Sequence, residues 1–433
     1  MKISKKINIP LIIASLVISI SYLLGIATIP FHPDESTQIF MSSDVEMFFT
    51  QPQGLFWHND KETDIRQKYR ELDAPITRYM IGIGRFITTQ PSLSNDWNWS
   101  ETWEENKAFG ALPDNKLLNI SRFSVAILFP LSIIMMYFIG KSIGNRFVAW
   151  GTFLLFSGNS LVLLHSRRAM AESVLLFGII FCLYLIIILK DKPWIFSISS
   201  ALAFNAKQSA AVFFILGLIS ILWSSKNTSK IIQIIKNFGI YILIFLSITI
   251  LLNPFLWSDP INAGLSAWEA RSDLVHRQVT TIGNLDPNRV LDSIPKRVAS
   301  MIAQIYFTPP ATADVGNYLE YTAALDKKYS ENFLHHIFSG FVAGGILIFL
   351  TLLGFSSAFK KVVRARCDFE ANWKLILMIL ATLLQTFTIL MVIPISFQRY
   401  YVPLVPFQCL WTAYGLNSIF EIFSNRRSKP TKK

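Results

Sequence analysis

Residues 9–35 read IPLIIASLVISISYLLGIATIPFHPDE. Positions 9 to 29 are nearly all apolar, close to the ~20 residues that carry an α-helix across a bilayer. Lys2, Lys5 and Lys6 precede the run. It ends at Ile29-Pro30-Phe31 and gives way at once to His32-Pro33-Asp34-Glu35. The chain leaves the bilayer and immediately presents an imidazole and two adjacent carboxylates. Ionisable groups beside hydrocarbon are costly, which makes this pair the first functional candidate. A Lys-then-apolar start also opens secretory leaders. This run is long for a leader, and no small-x-small cleavage site follows, so it reads as an uncleaved first helix.

The pattern repeats along the chain. Of 433 residues, 52% are hydrophobic and 16% charged, whereas a soluble protein carries about 25% charged residues. The apolar blocks predict spans near 9–29, 120–139, 147–164, 173–189, 194–206, 208–223, 236–256, 333–355, 373–393 and 399–420. The expected fold is an all-α polytopic membrane protein, a bundle of about ten transmembrane helices. The two segments flanking Ala206-Lys207 are short and read as one broken helix or two short tilted ones.

A net charge of +12 does not signal nucleic acid, because the cations cluster in short loops between apolar blocks. Lys2/Lys5/Lys6, Lys141/Arg146, Lys190/Lys192, Lys226/Lys230/Lys236, Lys360/Lys361/Arg364/Arg366 and Arg426/Arg427/Lys429/Lys432/Lys433 fall on one side if there are ten spans. The positive-inside rule makes that side the cytoplasm, with both termini on it. Cys182, Cys367 and Cys409 form no disulfide framework and read as inert small hydrophobes.

One membrane domain over 1–423 is expected, followed by a basic cytoplasmic tail at 424–433. Two outer loops are long, 30–119 and 257–332, and loops of that length are usually functional. In the first, Pro75-Ile76-Thr77-Arg78-Tyr79-Met80-Ile81-Gly82-Ile83-Gly84-Arg85-Phe86-Ile87 is apolar but too short to span. It predicts a helix lying on the interface with Pro75 in its first turn. The Trp and Tyr residues of these loops read as an interfacial belt rather than a sugar platform.

The outer side gathers the candidate chemistry. Asp34 and Glu35 are followed by Asp73, by the short loop with Arg167, Arg168 and Glu172, by Lys207 at the fifth/sixth junction, and by Arg399 opening the last span. Arg271 and His276 come from the second long loop. A carboxylate set beside a cation set suits a polyprenyl-phosphate sugar donor. Arg and Lys hold phosphate, while a carboxylate takes the proton of an acceptor hydroxyl as it attacks the anomeric carbon. Each group also has a plainer reading. Asp34 or Glu35 caps a helix starting at Ser36; Arg167 and Arg168 bind headgroups; Lys207 snorkels; Arg399 anchors the last helix; the histidines are structural. The acidic positions have no metal-ligand spacing, so a divalent ion is compatible with them but has no motif.

The ordered set resembles the GT-C glycosyltransferases, and most closely the protein O-mannosyltransferases (dolichyl-phosphate-mannose-dependent) and bacterial aminoarabinose transferases of lipid A. The pieces are Asp34-Glu35 after the first span, Asp73-Ala74-Pro75-Ile76-Thr77-Arg78, Ser166-Arg167-Arg168-Ala169-Met170-Ala171-Glu172, Ala206-Lys207-Gln208, Asn253-Pro254-Phe255-Leu256-Trp257 and Arg399-Tyr400-Tyr401-Val402-Pro403. The resemblance covers about residues 5 to 420. It implies a GT-C fold and inverting transfer of a sugar from a polyprenyl-phosphate lipid to an extracytoplasmic acceptor: a protein hydroxyl, a glycan or a lipid. It makes Asp34 the base, supported by Glu35. It puts Asp73 and Glu172 in the same pocket and Lys207 and Arg399 on donor phosphate. The family's usual second proline or basic residue is absent before Pro75, and Glu172 stands where Asp is usual. Many relatives carry a large extramembrane domain after the core, and here acceptor recognition is expected from the two long loops. A bacterial inner membrane is the expected location. The alternatives are a transporter or flippase of lipid-linked sugars, which places polar groups near mid-bilayer and often has repeated halves, and a non-catalytic membrane scaffold.

Overall fold

The computed structural model describes residues 8–59, 65–189, 192–224, 231–313, 316, 318–365 and 369–427. Lys2, Lys5, Lys6, Lys190, Lys226, Lys230, Arg366, Cys367 and the tail from 428 lie outside the described residues. Among the described residues the fold is helical, with a single isolated antiparallel bridge, Val290 to Ile395. Among the described residues six helices are long and apolar enough to cross a membrane, and shorter apolar helices accompany them.

The first, α1 (Ile9–Leu24), starts with Pro10 in its first turn, where a missing N–H costs nothing, and ends in a 3₁₀ turn at Gly25–Thr28. α2 (Pro33–Met41) follows after a short extended link. It begins three residues before Ser36 because His32, not an acidic residue, caps it. The His32 ring accepts the Asp34 N–H at 3.1 Å, and Glu35 Oε2 accepts the His32 N–H at 3.1 Å, a reciprocal capping box.

The first long loop folds into α3 (Asp44–Thr50), α4 (Ile65–Leu72), α5 (Ile76–Ile87) and α6 (Trp103–Ala108). α5 is a helix where one was expected, with Pro75 at its cap. One face buries Thr77, Arg78, Ile81, Gly82 and Arg85, while Ile83, Phe86 and Ile87 stay exposed. Gly82 lies where any β-carbon would strike Val45 and the Ser42 carbonyl, so α5 needs glycine to approach α3. Buried charges tie the loop. Asp44 accepts from Arg70 Nη2 at 2.7 Å and lies 3.0 Å from Arg78 Nε, and Arg85 donates to both Glu46 oxygens at 2.8 and 2.9 Å.

α7 (Asn115–Ala126) and α8 (Phe129–Ile143) make one long apolar segment, interrupted near Pro130. α9 (Arg146–Ser157) stops short of the expected residue 164: Gly158 ends it, and the Asn159 side chain caps a separate α10 (Ser160–His165). α11 (Ala171–Ile188) matches its expected span. α12 (Pro193–Ala206) and α13 (Val212–Ser224) are two helices, not one broken helix. The chain turns at Lys207 so that Ser200 Oγ donates to the Phe213 carbonyl at 3.3 Å.

α14 (Ile231–Leu252) ends at Asn253-Pro254, since the residue before proline avoids helical geometry. The second long loop carries α15 (Pro260–Leu285), α16 (Ile294–Ile302) and α17 (Leu319–Glu331). α18 (Phe341–Arg364) begins later than the expected residue 333, because Gly340 sits at φ 95°. α19 (Phe369–Val392) follows, and α20 (Val405–Arg427) is preceded by a 3₁₀ turn at Gln398–Leu404 that accommodates Pro403.

Small residues let helices approach. A β-carbon on Gly354 would overlap the Trp411 carbonyl and one on Gly415 the Leu350 carbonyl, so α18 and α20 touch backbone to backbone. The two long loops also pack on each other. The Trp57 N–H donates to the Phe255 carbonyl at 3.2 Å, and Trp103 stacks on Tyr321 at 4.9 Å. Trp97 is buried among Phe31, Trp103 and Tyr318. Trp97 and Trp103 therefore form a core between the loops, unlike the interfacial belt expected of them. Cys182 and Cys409 are buried, unpaired thiols inside their helices.

Candidate active site

One end of the bundle brings together the links after α1, α10 and α12 and the turn before α20. The capping box that starts α2 orients its first turn and points the two carboxylates in different directions. Glu35 is fully buried. Arg122 of α7 grips it with two donors, Nε to Oε1 and Nη2 to Oε2, each at 2.7 Å, and the Ala169 N–H donates to Oε1 at 2.9 Å. Burial alone would raise this carboxyl, but the Arg122 guanidinium overcomes it and holds the group below its ordinary value. Arg122 also donates to the carbonyls of Ile26 and Ile29 at 3.1 and 2.8 Å. The pair fastens the end of α1 to α7 and to the loop before α11.

Asp34 points the other way. Its side chain is 35% exposed and ion-paired with Arg399 Nη1. A second pair stands beside it: Lys207 Nζ donates to Glu172 Oε1 at 2.7 Å. Lys207 reaches there because it is the extended residue between α12 and the following 3₁₀ turn. The two cations share one aromatic neighbour, with Arg399 and Lys207 lying 5.6 and 5.7 Å from the Tyr400 ring centre. Glu172 interacts electrostatically with Arg399 as well as with Lys207.

The acidic wall continues along α2. Residues three and four apart share a helix face. Thr37, one turn after Asp34, neighbours the Asp96 side chain, and Gln38 Nε2 approaches Asp73 Oδ2 at 3.5 Å. Tyr69, one turn before Asp73 on α4, donates its hydroxyl to Asp96 Oδ2. Loss of water pushes the Asp73 carboxyl up, against the pull of Arg271 and Arg78, and the Asp34 charge adds to the push. Asp96 is raised for the same first reason. Burial and the surrounding carboxylates keep the Tyr69 phenol a donor.

The structure thus gathers Asp34, Glu35, Asp73, Glu172, Lys207 and Arg399, with Arg271 on α15 as an electrostatic neighbour of Asp73. Arg167 and Arg168 turn inward. Arg167 donates to the Tyr22 carbonyl at 2.9 Å and lies 4.7 Å over the Tyr22 ring, and Arg168 Nη2 donates to the carbonyls of Pro30 and Thr312. His276 is exposed on α15. Sequence reading missed three residues. Arg122 had a signal, a lone guanidinium inside an apolar run. Tyr69 and Asp96 had none. Gln398 belongs to the polar stretch Phe397-Gln398-Arg399-Tyr400-Tyr401 that opens the last expected span, where the sequence gives it no role. Gln398 matters because its amide donates to the Thr308 and Pro309 carbonyls and accepts the Ala311 N–H, holding the second long loop beside Arg399.

Among the described residues no three His, Cys, Asp or Glu side chains gather to hold a metal ion. Asp34 and Glu172 each face a cation instead, so the donor set in this arrangement does not fit a resident divalent ion.

No protein-family model matches the chain, and no curated protein matches it by sequence. By fold it is similar to the crystal structure of the Archaeoglobus fulgidus oligosaccharyltransferase in its apo form, at TM-score 0.53 and 11% identity over 98% of this chain and 52% of that one. It is similar to the same enzyme with Zn and sulfate at TM-score 0.50 and 11% identity, over 96% and 50%. ArnT from Cupriavidus metallidurans bound to undecaprenyl phosphate matches at TM-score 0.51 and 11% identity, over 94% and 60%. The chain spans about half to three fifths of the length of these structures. The likeness is one of fold: the chain shares the architecture of the oligosaccharyltransferase and ArnT structures.

Proposed function

We propose that this protein is a membrane glycosyltransferase that moves a sugar from a polyprenyl-phosphate donor to an acceptor hydroxyl on the extracytoplasmic side, with inversion. The observation that carries this reading is the half-exposed Asp34 carboxylate set against Arg399, beside Lys207 and Glu172. A sugar attached through phosphate needs little acid help to depart, since the leaving group is already a weak base. It needs a base at the acceptor and positive charge at the phosphate.

In this scheme Asp34 takes the proton of the acceptor O–H as that oxygen bonds to the anomeric carbon. The bond from that carbon to the phosphate oxygen breaks, and its electron pair leaves with the lipid phosphate. Arg399 and Lys207 receive the growing phosphate charge, and Arg271 approaches it from the second outer loop. Asp73 lines the acceptor side. Glu35, gripped by Arg122, holds α2 so that Asp34 faces the pocket. Arg167 and Arg168 hold backbone around it. The fold likeness to ArnT bound to undecaprenyl phosphate supports the donor class, and the loop charges support the sidedness.

The test is transfer of radiolabelled sugar from polyprenyl-phosphate donors to candidate glycan, lipid and protein acceptors by purified protein. Asp34→Asn should abolish transfer while leaving expression and insertion intact. Transfer at the parent rate would remove Asp34 as base. Label that stays on the lipid yet crosses vesicles would favour a transporter.

A further inference from the structure

We propose that Asp34 and Glu172 occupy, in the resting protein, the seat of the donor phosphate, so that the phosphate must take the two cations from the carboxylates and in doing so frees the base. The inference rests on the reading of the site as a lipid-phosphate sugar transferase and adds an order of events to it.

The argument starts from charge. Arg399 is paired with Asp34, and Lys207 with Glu172 at 2.7 Å. Two positive and two negative side chains leave the group neutral. Both cations flank the Tyr400 ring at almost equal distance, and Glu172 feels both of them. They are therefore one small cluster and not two separate bridges. The Lys207 side chain is 22% exposed and that of Arg399 12%, so neither pair is dissolved in bulk water. In such surroundings an unpaired cation is costly, and a neutral cluster attracts an anion only by partner exchange.

Exchange suits a phosphate in particular. Its tetrahedral oxygens accept from a planar guanidinium and a point-like ammonium at once, as two separate carboxylates do at rest. Once Arg399 turns to phosphate, Asp34 loses its cationic partner, and its lone pairs become available to an acceptor O–H. The donor thus binds before the acceptor can be activated. Without donor, the base stays engaged and does not deprotonate water or a stray hydroxyl.

The test measures binding of undecaprenyl phosphate to the full-length protein in detergent, as a double-mutant cycle. Asp34→Asn, inert in transfer, should bind the probe about tenfold more tightly than the parent, a change of about 1.4 kcal/mol. Arg399→Gln should weaken binding, and adding Asp34→Asn to it should change affinity less than about twofold, because coupled neighbours are not additive. Glu172→Gln, alone and with Lys207→Gln, repeats the comparison for the second pair. Undecaprenol, which lacks phosphate, should bind all variants alike. An equal gain from Asp34→Asn with and without Arg399 would mean simple repulsion and would overturn the exchange while keeping the donor site. No gain in the parent background would overturn it too. Failure of the parent to bind the probe at all would remove both the exchange and the donor assignment.

Discussion

Glu35→Gln separates the two neighbouring carboxylates by their physics. Glu35 accepts four hydrogen bonds, from Arg122 Nε and Nη2 at 2.7 Å, the Ala169 N–H at 2.9 Å and the His32 N–H at 3.1 Å. An amide keeps one acceptor oxygen and turns an NH₂ toward groups that are themselves donors. It also leaves the buried Arg122 guanidinium without its counter-charge, and breaking a buried pair from one side costs about 3–5 kcal/mol. At about 1.4 kcal/mol per tenfold, the unfolded population rises by roughly two to four orders of magnitude. The assay is denaturant or thermal unfolding in detergent, followed by tryptophan fluorescence. Because the folded carboxyl titrates below its ordinary 4.5, its contribution is complete above that pH and is lost as pH falls through the lowered value. The deficit of the variant should therefore be constant from pH 8 to pH 5. A Glu35→Gln protein within about 0.5 kcal/mol of the parent, yet unable to transfer sugar, would refute the reasoning and return Glu35 to the chemistry.

Asp73→Asn should raise stability near pH 8, where the raised carboxyl is forced to ionise in the folded state, and the gain should vanish as pH falls below the usual carboxylate range; a gain independent of pH would show that charge is not its cause. Gly354→Ala should destabilise by about 1–3 kcal/mol by forcing α18 off the Trp411 carbonyl, read as a lowered unfolding temperature in the same detergent.

The parts of this protein legible in its sequence are those set by local composition. Apolar blocks became helices, Lys207 sits where a helix was expected to break, and Arg399 opens the turn before the last helix. Helix ends were legible only where punctuation was noticed. Gly158-Asn159, Gly340 and Pro403 each moved a boundary that hydrophobicity alone put elsewhere. Pairings were not legible. Arg399 meets Asp34 across 365 residues and Arg122 meets Glu35 across 87, and no periodicity encodes such partners. Charge type showed that carboxylates and cations share a face; it did not show that Glu35 is structural while Asp34 is accessible. Tyr69 and Asp96 join the wall because α4 and the segment after α5 fold against α2, a tertiary event that a loop reading does not contain.

The short helices around the site have a consequence for the membrane itself. α9, α12 and α13 contain 12, 14 and 13 residues. At 1.5 Å per residue they reach only about 18–21 Å, well under the ~30 Å of a hydrocarbon slab. Lipids bordering them must compress, or the ends near Lys207 must lie beneath the headgroup plane. Either way the lipid donor proposed above would meet the site by sliding sideways within its own leaflet. Thicker bilayers would then lengthen that approach, making acyl-chain length a control on turnover that involves no residue of the pocket.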